Sequence, residues 1–297
     1  MKITTIITTH NRSAWLRQAI ESVLAQEPCG ADIELIVVDD NSSDDTPAVV
    51  ASYPSAVYLR TKQGRASASR EVGIARASGE WIAFLDDDDT WLPQKLRVCT
   101  GVMRAQPEAR FIFSAAIICD HELRPAGGTW PGSDLSGGRS AYDAFLTVPV
   151  SPSVVLIHRD VLDKVGLFDP ALARADDFDL WLRIASSGVR CASIDEPLAL
   201  YRERERQDGR LLHRSYRETM VVLRRSFVPG APWRPSWRRR REVYRHYRGW
   251  YTHRVMQAAR EARAAREEAL AARLRSTAFN MSPLHATKSL LTERSGR

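Results

Sequence analysis

The sequence predicts an α/β protein: a mixed, mostly parallel sheet flanked by helices, followed by a helical, basic C-terminal extension. Three observations predict it. Short β-branched runs alternate with helix-period stretches through the first two hundred residues, the pattern of a sheet covered by helices. Several of those runs end in polar or acidic clusters. From about residue 202 the alternation stops and arginine dominates: residues 1–200 carry 19 Lys+Arg against 27 Asp+Glu, net −8, while 201–297 carry 24 against 9, net +15, so the total of +7 hides a division. A length of 297 residues suffices for one large domain with an appendage, and 44% hydrophobic with 27% charged residues excludes a collagen, a disordered chain or a membrane bundle.

The elements follow in order. Ile3 to Thr8 is a β-branched run ended by His10-Asn11-Arg12 and reads as the first strand. Trp15, Leu16, Ala19, Ile20, Val23 and Leu24 recur at spacings of one, three and four, one apolar helical face. Ile33 to Val38 is a second strand that delivers Asp39-Asp40-Asn41-Ser42-Ser43 to its C-terminal end, residue types that favour turns and caps. Residues 56–60 suggest a third strand and Ala66 to Ala77 a helix stopped by Gly79. Trp81 to Leu85 is a fourth strand running into Asp86-Asp87-Asp88-Asp89. Pro93 suits the first turn of the helix after it. A β-rich run at 110–119, a mobile Gly/Pro/Ser-rich loop at 125–139, a strand from Ser153 to His158 and an amphipathic helix from Asp177 complete this part. Beyond it, Arg238 to Arg241 and the Ala/Arg/Glu-rich stretch 257–275 suggest exposed helices with little core of their own.

No run approaches the roughly 18 apolar residues of a membrane span, and Lys2 to Thr9 does not read as a signal peptide, so a cytoplasmic chain is expected. Cys29, Cys99, Cys119 and Cys191 lie far apart, which excludes a zinc ribbon or a disulfide framework and implies reduced, buried thiols.

Open parallel sheets bind ligands beyond the carboxyl ends of their strands. Thr8 to Arg12, Asp39 to Ser43 and Asp86 to Asp89 all end there, so clusters far apart in sequence are expected to share one ligand. Adjacent aspartates repel by up to about 4 kcal/mol per pair at about 4 Å and an effective dielectric near 20. A divalent cation removes that cost, and oxygen ligands without histidine or thiolate select Mg²⁺ or Mn²⁺ over softer metals. The alternative is a solvated acidic loop.

These residues resemble glycosyltransferase family 2, enzymes with the GT-A nucleotide-sugar-binding fold. Ile7-Thr8-Thr9-His10-Asn11-Arg12 is similar to the family's opening strand and loop, Val38 to Thr46 to its acidic nucleotide-contacting segment, and Ala77 to Asp89 to its Asp-x-Asp strand. The resemblance covers 1–202 and implies a GT-A catalytic domain there, with 1–110 the nucleotide-sugar half and 111–202 the acceptor side; 203–297 is the extension. It implies that Thr8, His10 and Asp40 frame base and ribose, that Arg65 helps to hold phosphates or base, that Asp87 faces the donor, and that Asp86 and Asp88 are the metal pair, with Asp88 the more direct ligand. In Asp176-Asp177-Phe178-Asp179-Leu180-Trp181-Leu182-Arg183, similar to the family's acceptor-side helix, Asp177 takes the place of the base that deprotonates the acceptor hydroxyl. The bland reading of Asp176 and Asp177 is that they complement a helix N-terminus. Asp179 reads as structural.

The departures are specific. Asp176 stands where Glu is commoner, and Glu71 where Asn is common. No Gln-x-x-Arg-Trp segment follows the base, which favours single-sugar transfer over processive synthesis. Tyr201-Arg202 is followed by Glu-Arg-Glu-Arg without the histidine that some relatives place near the metal or diphosphate; His213 is either its substitute or, as a lone histidine more often is, a surface or core residue. The resemblance implies an inverting hexosyltransferase-type enzyme using a nucleotide-diphospho-sugar, a UDP-sugar first among donors, and Mn²⁺ or Mg²⁺; the acceptor is a glycan, a lipid-linked sugar, another small molecule or a peptide. A nucleotidyltransferase would want a Gly-rich, lysine-bearing loop after the first strand, which this chain lacks; a non-catalytic nucleotide- or anion-binding protein is the rival from another class. The aromatic and arginine residues of 233–275 suit packing on the catalytic domain, contact with anionic membrane, or, behind these, nucleic acid.

Overall fold

A computed structural model describes residues 1–130, 140–148, 150–203, 209–227 and 235–295. They divide into two compact units, Met1–Glu203 and Arg204–Arg297. The first is built on β1 (Lys2–Thr9), which has a parallel strand on each side and is buried from Ile3 onward because helices cover the sheet. α1 (Ser13–Leu24) follows it and buries Leu16, Ala19, Ile20 and Val23 of the predicted stripe; Trp15 is half-buried, and Leu24, at the last turn, is exposed. β2 (Asp32–Asp40), α2 (Thr46–Ala51), β3 (Ala56–Thr61), α3 (Ala66–Arg76) and β4 (Trp81–Asp86) complete a parallel half, in the order β3-β2-β1-β4. α3 lies close on β1 at Gly73, where a Cβ would come within 2.5 Å of Ile6 Cγ2, so only glycine fits.

The second half of the sheet is mixed. β5 (Thr90–Trp91), α4 (Lys95–Ala105), β6 (Ala109–Cys119), β7 (Pro125–Trp130), α5 (Ala141–Phe145), β8 (Val155–His158), α6 (Arg159–Val165), α7 (Asp176–Ser186) and β9 (Arg190–Arg202) follow in the chain. β8 pairs antiparallel with β4 and β6, β9 runs parallel to β6, and β5 pairs antiparallel with β9. The core under this half is aromatic: Phe111 packs on Phe145 and Trp181 with ring centroids 5.6 and 5.1 Å apart. All four cysteines are buried and unbonded.

Three local expectations are corrected. Residues 125–130 are not loop but β7, paired to β6, because backbone pairing does not need the apolar side chains that Pro125-Ala126-Gly127-Gly128 lacks; 131–139 lie outside the described residues. Pro93 precedes the helix, which starts at Lys95 after the N-cap Gln94. Ser153 sits in a 3₁₀ turn, Pro152–Val154, before β8 begins.

The second unit contains α8 (Gly209–Ser226), α9 (Trp237–Ala264), α10 (Glu268–Met281) and α11 (Pro283–Ser295). It does have a core: Val222 and Leu223 of α8, Val243, Val255, Met256 and Ala262 of α9, and Ala271, Leu274 and Ala278 of α10 are all buried. The sequence understates it because alanines supply much of the contact by letting helices approach, which an apolar-stripe count weighs lightly.

Candidate functional site

The ends of β1, β2 and β4 meet on one rim. Thr8 sits opposite Val38 on one side and Asp86 on the other, and Thr9 opposite Asp39. Each of the first two strands is followed by an asparagine in the left-handed region, Asn11 (φ 53°) and Asn41 (φ 63°), a conformation that Asn tolerates better than most residues. The turns lock together: Asn11 N–H donates to Ser42 Oγ at 2.9 Å, and Ser43 N–H to Asn11 Oδ1 at 2.7 Å. His10 is exposed, with Nδ1 2.7 Å from the Asp40 carbonyl; since a carbonyl only accepts, Nδ1 carries the proton. The half-buried Asp40 accepts from the N–H groups of Gln63 and Gly64 through one oxygen, at 2.6 and 3.0 Å. Asp39 is fully buried and structural: it accepts from Ser42 N–H at 2.8 Å and from Tyr58 Oη at 2.6 Å. Burial, then that carboxylate, pushes the Tyr58 phenol up to about 12.

The acidic loop after β4 is gripped by three arginines. Arg70 Nη2 donates to Asp86 Oδ1 at 2.5 Å. Arg12 Nη1 lies 2.7 Å from Asp87 Oδ1 and 3.2 Å from Asp88 Oδ2. Arg202, 3% exposed at the end of β9, donates its backbone N–H to Asp89 Oδ1 at 2.9 Å and its Nε to the Asp88 carbonyl at 2.7 Å. The Arg12 and Arg202 guanidinium carbons lie 5.8 and 4.8 Å from the centre of the Trp15 ring, so one indole backs both grips. Burial pushes the Asp87 carboxyl up to about 6 against the pull of Arg12, with the Asp88 charge adding to the rise. Asp89 is raised well above the carboxylate range by burial and then by Asp88 and Asp86.

Carboxylate oxygens of Asp86, Asp88 and Asp89 all lie within 4.8 Å of one another. Hard oxygen donors with concentrated negative charge fit a Mg²⁺- or Mn²⁺-sized ion. Asp89 was not among the residues singled out by sequence. Both its oxygens already accept, one from Ser153 Oγ at 2.6 Å and one from Arg202, so it suits orienting the loop better than binding directly.

Arg70 also reaches the start of α7. It is buried, and its Nη1 lies 3.8 Å from Asp176 Oδ2. The neighbouring Asp177 is half-buried; its Oδ1 accepts from Phe178 N–H at 2.7 Å. Burial, then the Asp176 charge, pushes its carboxyl up to about 7, while Arg70 and the Phe178 N–H pull the other way. Asp179 pairs with Arg183 at 2.8 Å, a bond within its own helix.

The predicted residues thus fall in two groups. Thr8, His10, Asp40, Asp86, Asp87 and Asp88 lie on the rim, and Asp177 is linked to it through Asp176 and Arg70. Arg65 instead donates to the Pro170 carbonyl, in the loop before α7. His213 is exposed on α8, in the second unit. The cation missed in sequence is Arg70. Nothing local sets it apart beyond its sharing a buried helical face with Ser67 and Ile74, a placement that does not reveal its distant acidic partners. Arg202, equally silent, is marked only by closing the last β-run.

The profile of Glycosyl transferase family 2 matches residues 4–166. The succinoglycan biosynthesis protein ExoO of Rhizobium meliloti is 31% identical over 76% of this chain and 68% of its own length. An uncharacterized glycosyltransferase of Nostoc sp. is 31% identical over 68% of this chain and 65% of its own. The chain therefore spans about two thirds of these curated relatives. Among solved structures, S. aureus TarS in complex with UDP-GlcNAc superimposes with a TM-score of 0.61 at 16% identity, covering 100% of this chain and 93% of that one. The mannosyltransferase PcManGT from Pyrobaculum calidifontis, in complex with GDP-Man and Mn²⁺, gives 0.64 at 18% identity over 97% and 83%. At such identities the likeness establishes the fold, GT-A.

Proposed function

The chain belongs to glycosyl transferase family 2 and is a sugar-transferring enzyme, and from that premise we propose an inverting, metal-assisted transfer of one sugar from a nucleotide-diphospho-sugar to an acceptor hydroxyl. One observation carries the reading: buried Arg70 touches both Asp86 on the acidic loop and Asp176 at the start of α7, tying the loop to the segment that presents Asp177. Residues 1–110 take the donor and 111–202 the acceptor side. Thr8, His10 and Asp40 frame base and ribose, Asp87 contacts the donor, Arg65 joins it by leaving the Pro170 carbonyl, and a UDP-sugar is the leading candidate, TarS having been solved with UDP-GlcNAc. Asp86 and Asp88 hold Mn²⁺ or Mg²⁺, which when bound supplies positive charge for the departing diphosphate.

Asp177 takes the proton of the acceptor hydroxyl. The acceptor oxygen forms its bond to the anomeric carbon while the bond from that carbon to the diphosphate oxygen breaks, and approach from the opposite face inverts the centre. A carboxylate with its proton affinity raised to about 7 suits this task, because a base works best with a pKa near the working pH. Arg70 keeps the two carboxylate groups from repelling one another apart. Peripheral contact with an anionic membrane belongs to the same reading; no described helix is long and apolar enough to cross a membrane.

Incubation with UDP- and GDP-sugars and a panel of acceptors, with and without Mn²⁺, tests it. Sugar transfer with inverted product, lost on chelation and in Asp88→Ala, is the expected result. Full turnover by Asp88→Ala in the presence of chelator overturns the metal assignment, and release of pyrophosphate from a nucleoside triphosphate indicates a nucleotidyltransferase instead.

A further inference from the structure

We propose that one face of α9 is a docking surface for an anionic lipid bilayer, a proposal that rests on the membrane contact just named and not on the sugar chemistry. Residues 204–297 hold 23 Lys+Arg against 8 Asp+Glu, net +15, and all but one of the 23 are arginine. At about 100° per residue, Trp237, Arg238, Arg241, Arg245 and Arg248 fall within an arc of roughly 100° on α9. All five are exposed, Trp237 at 66%. Val243, Tyr247 and Tyr251, on the other side of the helix, are buried, so α9 satisfies its packing with one face and presents the other outward.

The charges of this face are uncompensated locally. Glu242, the one carboxylate in this stretch of α9, pairs with Arg239, outside the stripe, at 3.4 Å. Among the described residues, no carboxylate lies within salt-bridge reach of Arg238, Arg241, Arg245 or Arg248. Guanidinium forks bind phosphodiesters bidentately, and an exposed indole at the end of the row, with Arg238 placed 5.8 Å over its ring, has the amphipathic character of an interfacial anchor. Charge complementarity alone would also admit nucleic acid. The stripe, however, is a convex helical ridge with one aromatic at its end, not a groove interleaved with stacking rings, and this favours a lipid surface.

Sedimentation of the full chain with vesicles tests this. Phosphatidylcholine vesicles containing one-third phosphatidylglycerol should pull the protein down, and pure phosphatidylcholine should not. Binding should weaken with salt. With each arginine worth about fivefold near such a surface, the exposed triple variant R241E/R245E/R248E should bind on the order of a hundredfold more weakly. Trp237→Ala should show a smaller loss, and both variants should keep their melting temperatures and donor turnover. If the triple variant fails to fold, the salt dependence of the native chain and single reversals at 241 and 245 give the same readout. Equal binding to both vesicle types, no binding at all, undiminished binding by a folded triple variant, or single-stranded DNA displacing the protein from vesicles would each overturn the proposal. Vesicle binding without sugar transfer would sink the transfer reading alone; transfer without vesicle binding would sink the docking alone.

Discussion

Two carboxylate clusters sit on this sheet unit, and the same side chain behaves differently in each. Asp86 to Asp89 are wrapped by Arg12, Arg70 and Arg202 and by Ser153, so nearly every charge there has a partner at hydrogen-bond distance. Asp177 has one backbone N–H and only indirect help from Arg70, with Asp176 adjoining it, and its proton affinity climbs to about 7. Burial raises Asp87 and Asp89 as well, so the two clusters differ in their cationic partners rather than in the direction of the shift: a group of anions held by three arginines suits a cation, and Asp177, with no arginine in direct contact among the described residues, suits proton transfer.

The sharpest way to break this contrast is Asp177→Asn, which keeps the shape and removes the proposed base. Transfer should fall roughly 10²- to 10⁴-fold with donor affinity unchanged, measured by initial rates and by donor titration. Next in size, Arg70→Met strips the shared cation from Asp86 and Asp176. Breaking a buried pair from one side costs about 3–5 kcal/mol, readable in denaturant unfolding, and the pH at which transfer reaches half its plateau should move upward as the pull on Asp177 is lost. Arg202→Lys loosens only the loop's support, so Mn²⁺ affinity followed by electron paramagnetic resonance should drop by about 10- to 100-fold. The smallest effect concerns stability. In the unfolded chain Asp177 titrates near an ordinary aspartate, about 4, and in the folded chain at about 7. Its protonated form therefore stabilises the fold below about pH 4, and that contribution fades as pH rises through 7. Asn holds the neutral form throughout, so above pH 7 Asp177→Asn should be the more stable protein by roughly 1–2 kcal/mol, the about 4 kcal/mol implied by that rise being reduced by the partial exposure of the side chain. Equal stability of the two proteins at pH 8 would show that Asp177 is not constrained as described.

Much of the sheet unit was legible because its strands are buried on both faces and therefore read as apolar runs, with the acids placed just beyond them. The clusters at Asp39–Asp40 and Asp86–Asp89 could be located for that reason, while the choice of Asp40, Asp86 and Asp88 within them came from the family resemblance. β7 was not legible, since an edge strand of glycine and proline carries no apolar pattern, and β5 is only two residues long. Arg70 and Arg202 escaped notice because their importance lies in partners 16 to 114 residues away, which no local spacing encodes. Asp89 escaped for the same reason: within a run of four like residues, nothing local distinguishes the one whose oxygens are taken by Ser153 and Arg202, 64 and 113 residues away.

Trp15, with two guanidinium groups near its ring and both of those arginines fastened to the loop at 86–89, is a built-in optical reporter. Any rearrangement of that loop would alter the electric field across the indole, so the emission difference between the native chain and Trp15→Phe would follow loading of the pocket in real time, with no label attached.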